Sequence, residues 1–388
     1  MGRRSAGVLL ALACCLILPA AVSASRLETI KTPSRFVDVK TAAFGDVDPH
    51  PSALRANVLL PDHYDPKRSY PLLFLVHGAG ENHASWAKPL KGNIKETARG
   101  LNAIVVMPDG GLGFYTNWWN GGERGGPAWE RYHLDELLPM IQKRYRIKQA
   151  RRYHAIAGFS MGGFGTSEYA ELRPDFFGTA VPMSGFVSIQ RLTAVIGFPL
   201  VTGVDYNQIF GPNGGPYAVG HDPVKLAPNL AHSRLMVYTG NGVPRPGVPA
   251  SGAAVASGVV EAELLLQNQE LFQAARAGGA DATFTSHLGV HDWPYWREDL
   301  RSAIDRGLFG KVEENPRSWT YRTVAQRGRA WDLSFRLASP PEDMVKFSRS
   351  GRTLAVAGSS LSRMAIRTDG GCSLSRQPPF QVRLDPGC

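Results

Sequence analysis

Between about residues 35 and 310, short apolar runs alternate with stretches whose apolar positions recur at helical spacing. That alternation predicts an α/β domain. Strands are expected at Phe36–Thr41, Arg55–Leu60, Leu72–His77, Ala103–Met107, Tyr153–Gly158, Thr179–Met183, Leu235–Thr239 and Ala282–Ser286. The runs Leu72-Leu73-Phe74-Leu75-Val76 and Ile104-Val105-Val106 lack any polar alternation, as parallel strands covered on both faces require. Helices are expected at Trp129–Tyr145, Gly162–Leu172, Val260–Ala277 and Tyr295–Gly307, the first with Trp129, Leu134, Leu137, Leu138, Ile141 and Tyr145 on one side. Residues 203–228 and 240–258, rich in Gly, Pro and Ala, read as irregular excursions over one face of the sheet.

The period changes near Asn315-Pro316. After it, Trp331, Leu333, Phe335 and Leu337, and later Met364 and Ile366, alternate with polar residues between Gly-containing turns. The expected organisation is therefore a leader over 1–24, an α/β domain over 25–312 and a small all-β domain over 315–388. The leader reading rests on Arg3 and Arg4, the apolar run Gly7 to Val22, and Val22-Ser23-Ala24 as a small-residue cleavage site. No other long apolar run occurs, which excludes a polytopic membrane protein and leaves no transmembrane segment after cleavage. The expected location is secreted or envelope-associated. Outside the leader only Cys372 and Cys388 remain, and an oxidising compartment would join them. Neither a CxxC pair nor a cluster with metal-ligand spacing is present, so no metal or cofactor is expected.

Composition adds one asymmetry to a 388-residue chain of net charge +10. From Asn315 to Cys388 there are 12 Lys+Arg against 5 Asp+Glu, or +7. For an exported protein this favours anionic envelope polymers or lipid head groups as contacts over nucleic acid.

The chemistry centres on Gly158-Phe159-Ser160-Met161-Gly162, set between an apolar strand and a helical stretch. A G-x-S-x-G turn needs glycines because the strand reverses sharply into the helix and leaves the serine strained and exposed. A serine hydroxyl needs a base, and His291 follows the last expected strand in His291-Asp292-Trp293, the loop that chain order assigns to the histidine. An acid should lie between them. Glu261 and Glu263 are both available there, and spacing alone does not choose. Oxyanion donors are expected from the backbone of Met161 and, after the strand Leu72–Val76, from His77-Gly78-Ala79-Gly80, with Ala79 the better placed. Trp118, Trp119 and Trp293, with His77 and Gly78, are candidates to line a substrate pocket, and His77 reads as a loop-fixing side chain rather than a catalytic base.

These stretches resemble the esterase family of the α/β-hydrolases that includes esterase D, feruloyl-type esterases and the antigen 85 mycolyltransferases. The matching segments are Y-P-L-L-F-L-V-H-G-A-G at 70–80, F-Y-T-N-W-W at 114–119, G-F-S-M-G-G at 158–163, M-S-G-F at 183–186, V-Y-T-G-N-G at 237–242 and H-D-W at 291–293. The resemblance implies a mostly parallel sheet flanked by helices and an acyl-enzyme at Ser160. In the antigen 85 pattern an Asn-Gln pair follows the acid, and Asn268-Gln269 places that acid at Glu261. It also implies Ala79 and Met161 as the oxyanion hole. The transferases carry an aspartate where this chain has His77; the H-G-x-G form is that of simple esterases. The expected function is hydrolysis of a small-molecule, lipid or envelope ester by a Ser-His-Glu triad. The alternative is antigen 85-like diacylglycerol or mycolyl transfer to a hydroxyl on the same triad.

Overall fold

The computed structural model describes residues 24–40, 42, 50–119, 127–248 and 254–388. The expected leader and its cleavage site at Val22-Ser23-Ala24 lie almost wholly outside the described residues.

Eight strands form one sheet: β1 (Arg26–Lys31), β2 (Arg55–Leu60), β3 (Leu72–Val76), β4 (Ile104–Pro108), β5 (His154–Phe159), β6 (Thr179–Met183), β7 (Arg234–Gly240) and β8 (Asp281–His287), in the order β1-β2-β4-β3-β5-β6-β7-β8. β1 and β2 run antiparallel at one edge, and the other six are parallel. The unbroken apolar runs have the reason the sequence suggests. Leu72, Phe74 and Val76 enter one core, whereas Leu73 and Leu75 enter another on the opposite face. The helices Met161–Leu172 and Ala254–Ala277 pack on the first face, and Trp293–Asp305 on the second.

Three expectations need correcting. The end of the segment 240–258 is helical, since the helix Ala254–Ala277 begins before the expected Val260. Residues 36–40 form turns, not a strand, because the Ser34 hydroxyl accepts the Phe36 and Val37 N–H groups and curls the chain locally. The first strand is Arg26–Lys31 instead, paired along its whole length with β2. The segment 203–228 is also not wholly irregular. Short helices at Tyr206–Phe210, Pro216–Val219 and Pro223–Leu226 follow Leu192–Thr202. Asp205 and Asp222 cap two of them by accepting N–H groups of Asn207 and Val224. The helical stretch over 129–144 includes a wide π segment, Tyr132–Leu137, just before Pro139, which has no N–H to offer the preceding turn.

The C-terminal strands form two four-stranded antiparallel sheets. β10 (Arg327–Ala330), β11 (Leu333–Leu337), β14 (Met364–Thr368) and β15 (Ser373–Arg376) make one. β9 (Ser318–Thr323), β12 (Val345–Ser350), β13 (Thr353–Ala357) and β16 (Phe380–Arg383) make the other. Their period-two apolar positions, among them Trp319, Tyr321, Phe335, Phe347 and Ile366, close a core of their own. A disulfide joins Cys372 to Cys388, with Cα atoms 5.5 Å apart. This sandwich docks on the end of the main sheet where strands begin. The buried Arg151 guanidinium donates to the carbonyls of His232, Glu313 and Phe177 and to Ser233, and lies 4.8 Å from the Trp331 ring centre. Nearby, Tyr321 donates to the Leu172 carbonyl, and the Arg322 N–H donates to Asn229.

Candidate active site

At the opposite end of the sheet, where β5, β6 and β7 finish, the chain assembles a serine, a histidine and a carboxylate. Ser160 stands between β5 and the helix Met161–Leu172 at φ 56° and ψ −121°, a conformation that L-residues rarely adopt. The surroundings hold it there. Its N–H donates to the Met183 carbonyl at 3.0 Å, and its own carbonyl accepts from Phe164 and Phe186. The flanking glycines are a matter of space. A Cβ on Gly158 would lie 2.5 Å from a Val76 methyl, and one on Gly162 would lie 2.6 Å from the His77 carbonyl oxygen.

Glu261, on the helix Ala254–Ala277, is fully buried, and its Oε2 lies 2.8 Å from Nδ1 of His291. Its Oε1 accepts from the Ser184 hydroxyl at 2.6 Å, the Gly240 N–H at 2.5 Å and the Thr239 hydroxyl at 3.2 Å. Burial alone would push this carboxyl up; the bonds from His291, Ser184 and Gly240 outweigh it and hold the group below the usual range. Glu263 has a different task. It faces outward, bound to Arg191 at 3.0 Å and Thr193 at 2.7 Å. His287 is likewise committed elsewhere, with its Nε2 2.8 Å from Asp299.

The His291 ring meets Trp296 edge-on at 4.9 Å, and Trp296 stacks on Phe159, the residue before Ser160. This places the imidazole beside the serine turn. Among the hydrogen bonds of the described residues, the one that orients the His291 ring is its Nδ1 bond to Glu261. The two candidate oxyanion donors share a further property. Neither the Ala79 nor the Met161 N–H donates to a protein acceptor among the described residues.

Several candidate pocket residues have other roles. His77 is a correction: it is 1% exposed, and both ring nitrogens serve the backbone, Nδ1 toward the Gly78 carbonyl and Nε2 accepting the Gly110 N–H. It fixes the loop and presents no nitrogen to a substrate. Gly78 leaves room for the Phe159 ring, which a Cβ would meet at 2.4 Å. Trp293 is buried against Trp86 and Phe159. Trp118 and Trp119 are half-buried, whereas Phe114 and Tyr115 in the same motif belong to the core.

Sequence reasoning misses the residues that hold the acid. Ser184 and Thr239 lie in the M-S-G-F and V-Y-T-G-N-G stretches, yet nothing in their spacing shows that they converge on Glu261. Gln267 is missed similarly, and the resemblance that singles out Asn268 does not show its role; the two bind the backbone of residues 185–188 and anchor the helix that carries Glu261. Ser184 itself has φ 46°, a second left-handed residue within the site.

Comparison with known proteins agrees with this architecture. The family described as "Putative esterase" matches residues 51–306. An esterase of Mycobacterium tuberculosis, Rv1288, is 41% identical over 138 residues, covering 35% of this chain and 30% of that protein. The diacylglycerol acyltransferase/mycolyltransferase Ag85C of Mycobacterium avium is 31% identical over 210 residues, covering 50% of this chain and 58% of its own length. Both matches thus span less than two thirds of the relative. Among solved structures, a ferulic acid esterase superposes with a TM-score of 0.56 at 24% identity, over 74% of this chain and 99% of its own. With the matched stretch enclosing both the serine turn and the Glu261–His291 pair, the chain belongs to the esterase family of α/β-hydrolases.

Proposed function

We propose that this protein is an exported serine esterase that hydrolyses carboxylic esters through an acyl-enzyme on Ser160. The observation that carries the reading is the 2.8 Å bond from His291 Nδ1 to a fully buried Glu261, beside a serine held at φ 56°. With Nδ1–H donating to Glu261, Nε2 keeps its lone pair and takes the Ser160 proton as Oγ bonds to the ester carbonyl carbon. The oxyanion is stabilised by the Met161 and Ala79 N–H groups. Its collapse breaks the ester C–O bond, and His291 returns the proton to the departing alcohol. Water then repeats the sequence and releases the acid.

The deciding measurement is hydrolysis of p-nitrophenyl esters from acetate to palmitate. The expected result is a burst of about one p-nitrophenolate per chain followed by slower turnover, the signature of an accumulating acyl-enzyme. Folded protein that cleaves none of these esters would overturn the reading. Acyl transfer to a hydroxyl uses the same triad, but His77, engaged by the backbone on both nitrogens, offers no group to hold a sugar acceptor. Free acid as the product, even with a sugar acceptor present, is therefore expected.

The basic C-terminal sandwich packs at the end of the sheet opposite the serine turn. We propose that it holds the enzyme on an anionic envelope polymer, with the exposed Arg336 and Arg367 on the outer face of the β11–β14 pair as contacts. The disulfide supports an oxidising compartment. Full-length protein should be retained on dextran sulfate at low salt and released as salt rises. Retention unchanged by Arg336→Glu with Arg367→Glu would rule this surface out.

A further inference from the structure

Two turns beyond Ser160, on the same helix, Glu168 is fully buried, and among the described residues neither of its carboxyl oxygens has a hydrogen-bond partner. Burial pushes this carboxyl far above the usual range, and the neighbouring charges, Glu130 and Glu171, push it the same way. Among the described residues, no basic side chain acts against them there. Leaving such a group unpaired is costly, so its surroundings matter.

What faces it is His221. The Nε2 of His221 lies 3.7 Å from Glu168 Oε1 and 3.9 Å from Glu130 Oε2. Its Nδ1 is 2.8 Å from the Tyr217 carbonyl, which can only accept. The proton is therefore on Nδ1, and the Nε2 lone pair is turned toward the two carboxylates. Burial holds this imidazole neutral, at a pKa of about 4, so an imidazolium does not compensate the carboxylates at neutral pH. Among the described residues, a lone pair and two carboxyl groups converge with no basic side chain between them.

We infer that Glu130, Glu168 and His221 bind a divalent first-row transition metal of the zinc class. One donor atom from each residue falls within 4.8 Å of the others. Zinc with N and O ligands at about 2.0–2.1 Å places tetrahedral donors about 3.3 Å apart. The two His221 distances exceed that by about half an ångström and all three donor pairs lie within 4.8 Å, so a bound ion would have to draw the donors closer. Two carboxylates balance the ion's charge, and one imidazole among oxygen donors favours a borderline metal over calcium or magnesium. A histidine whose second nitrogen donates to a backbone carbonyl is the usual support for such a ligand. The donors come from the 129–144 helical stretch, the helix behind Ser160 and the turn after Pro216–Val219. The ion would join these three elements and leave a fourth position to water.

The test uses the full chain, stripped with EDTA and titrated with Zn²⁺ alone. One equivalent should bind, and the thermal midpoint should rise with Zn²⁺ concentration. Glu168→Gln and His221→Gln should each weaken binding at least 100-fold. Glu171→Gln, another buried carboxylate on the same helix but outside the three donors, should bind as the wild type does. Should the buried variants fail to fold, Co²⁺ absorption of the wild type and of the less buried Glu130→Gln still decides. A four-coordinate spectrum, diminished in that variant, is expected. Absence of Zn²⁺ and Co²⁺ binding up to millimolar concentration overturns the proposal, as does binding that the Glu168 and His221 substitutions leave unchanged. A protonated Glu168 carboxyl band persisting in the infrared with Zn²⁺ present would equally overturn it.

Discussion

Ester hydrolysis is expected to fall by on the order of 10⁴-fold or more in Ser160→Ala, because the acyl-enzyme cannot form. Glu261→Gln should approach that loss through the histidine, with the fold intact. Three donors, Ser184, Thr239 and the Gly240 N–H, surround the Oε1 position. In the glutamine variant they select the amide oxygen there, which turns the amide NH₂ toward His291 Nδ1. That nitrogen must then accept, the ring proton moves to Nε2, and the base loses the lone pair that should receive the serine proton. A loss of kcat on the order of 10³–10⁴-fold, with KM little changed, is the expected outcome. Glu263→Gln should leave kcat near wild type, since that carboxylate binds Arg191 and Thr193. Equal losses in the two glutamine variants would contradict the assignment of the acid, and full activity in Ser160→Ala would refute the nucleophile.

The second large effect concerns stability. Arg151 is 2% exposed, and its fork donates to three backbone carbonyls and one hydroxyl. Burial lowers its pKa to about 10, which still leaves it charged at neutral pH. Arg151→Ala leaves the carbonyls of Phe177, His232 and Glu313 without this donor and removes the contact with Trp331. The cost should be about 3–5 kcal/mol, read from urea unfolding. Lysine should not restore it, because a single ammonium cannot span the fork's partners. Because the strand ends that carry Ser160 are remote from Arg151, kcat of the folded variant should stay near wild type. A stability loss under about 1 kcal/mol would show that the sandwich is held by other contacts.

How far the fold and the site were legible depended on whether local chemistry carried the signal. Strands β2 and β6 have the expected boundaries, and β3, β4, β5, β7 and β8 differ by a residue or so at their ends. Strands covered on both faces must be apolar throughout, so their residues reveal them. The stretch after Phe36 misled because one hydroxyl, on Ser34, overrides a weak apolar pattern. The segment 203–228 misled because its short helices rely on caps and tertiary contacts more than on a long amphipathic face.

The amino-acid sequence by itself determined the α/β class, the change to period-two strands near residue 315 and the serine turn. Each of these is written in neighbouring residues: apolar periodicity, and glycines where the backbone comes close. Choosing Glu261 over Glu263 required family resemblance from the sequence alone, because two residues apart on a helix differ in direction rather than in chemistry. Only the tertiary structure shows Glu263 turned to Arg191 and Glu261 turned to His291. It alone shows which backbone groups occupy both nitrogens of His77, and that Glu130, Glu168 and His221 meet. Those relations join residues far apart in the chain, and only packing sets the distances between their polar atoms.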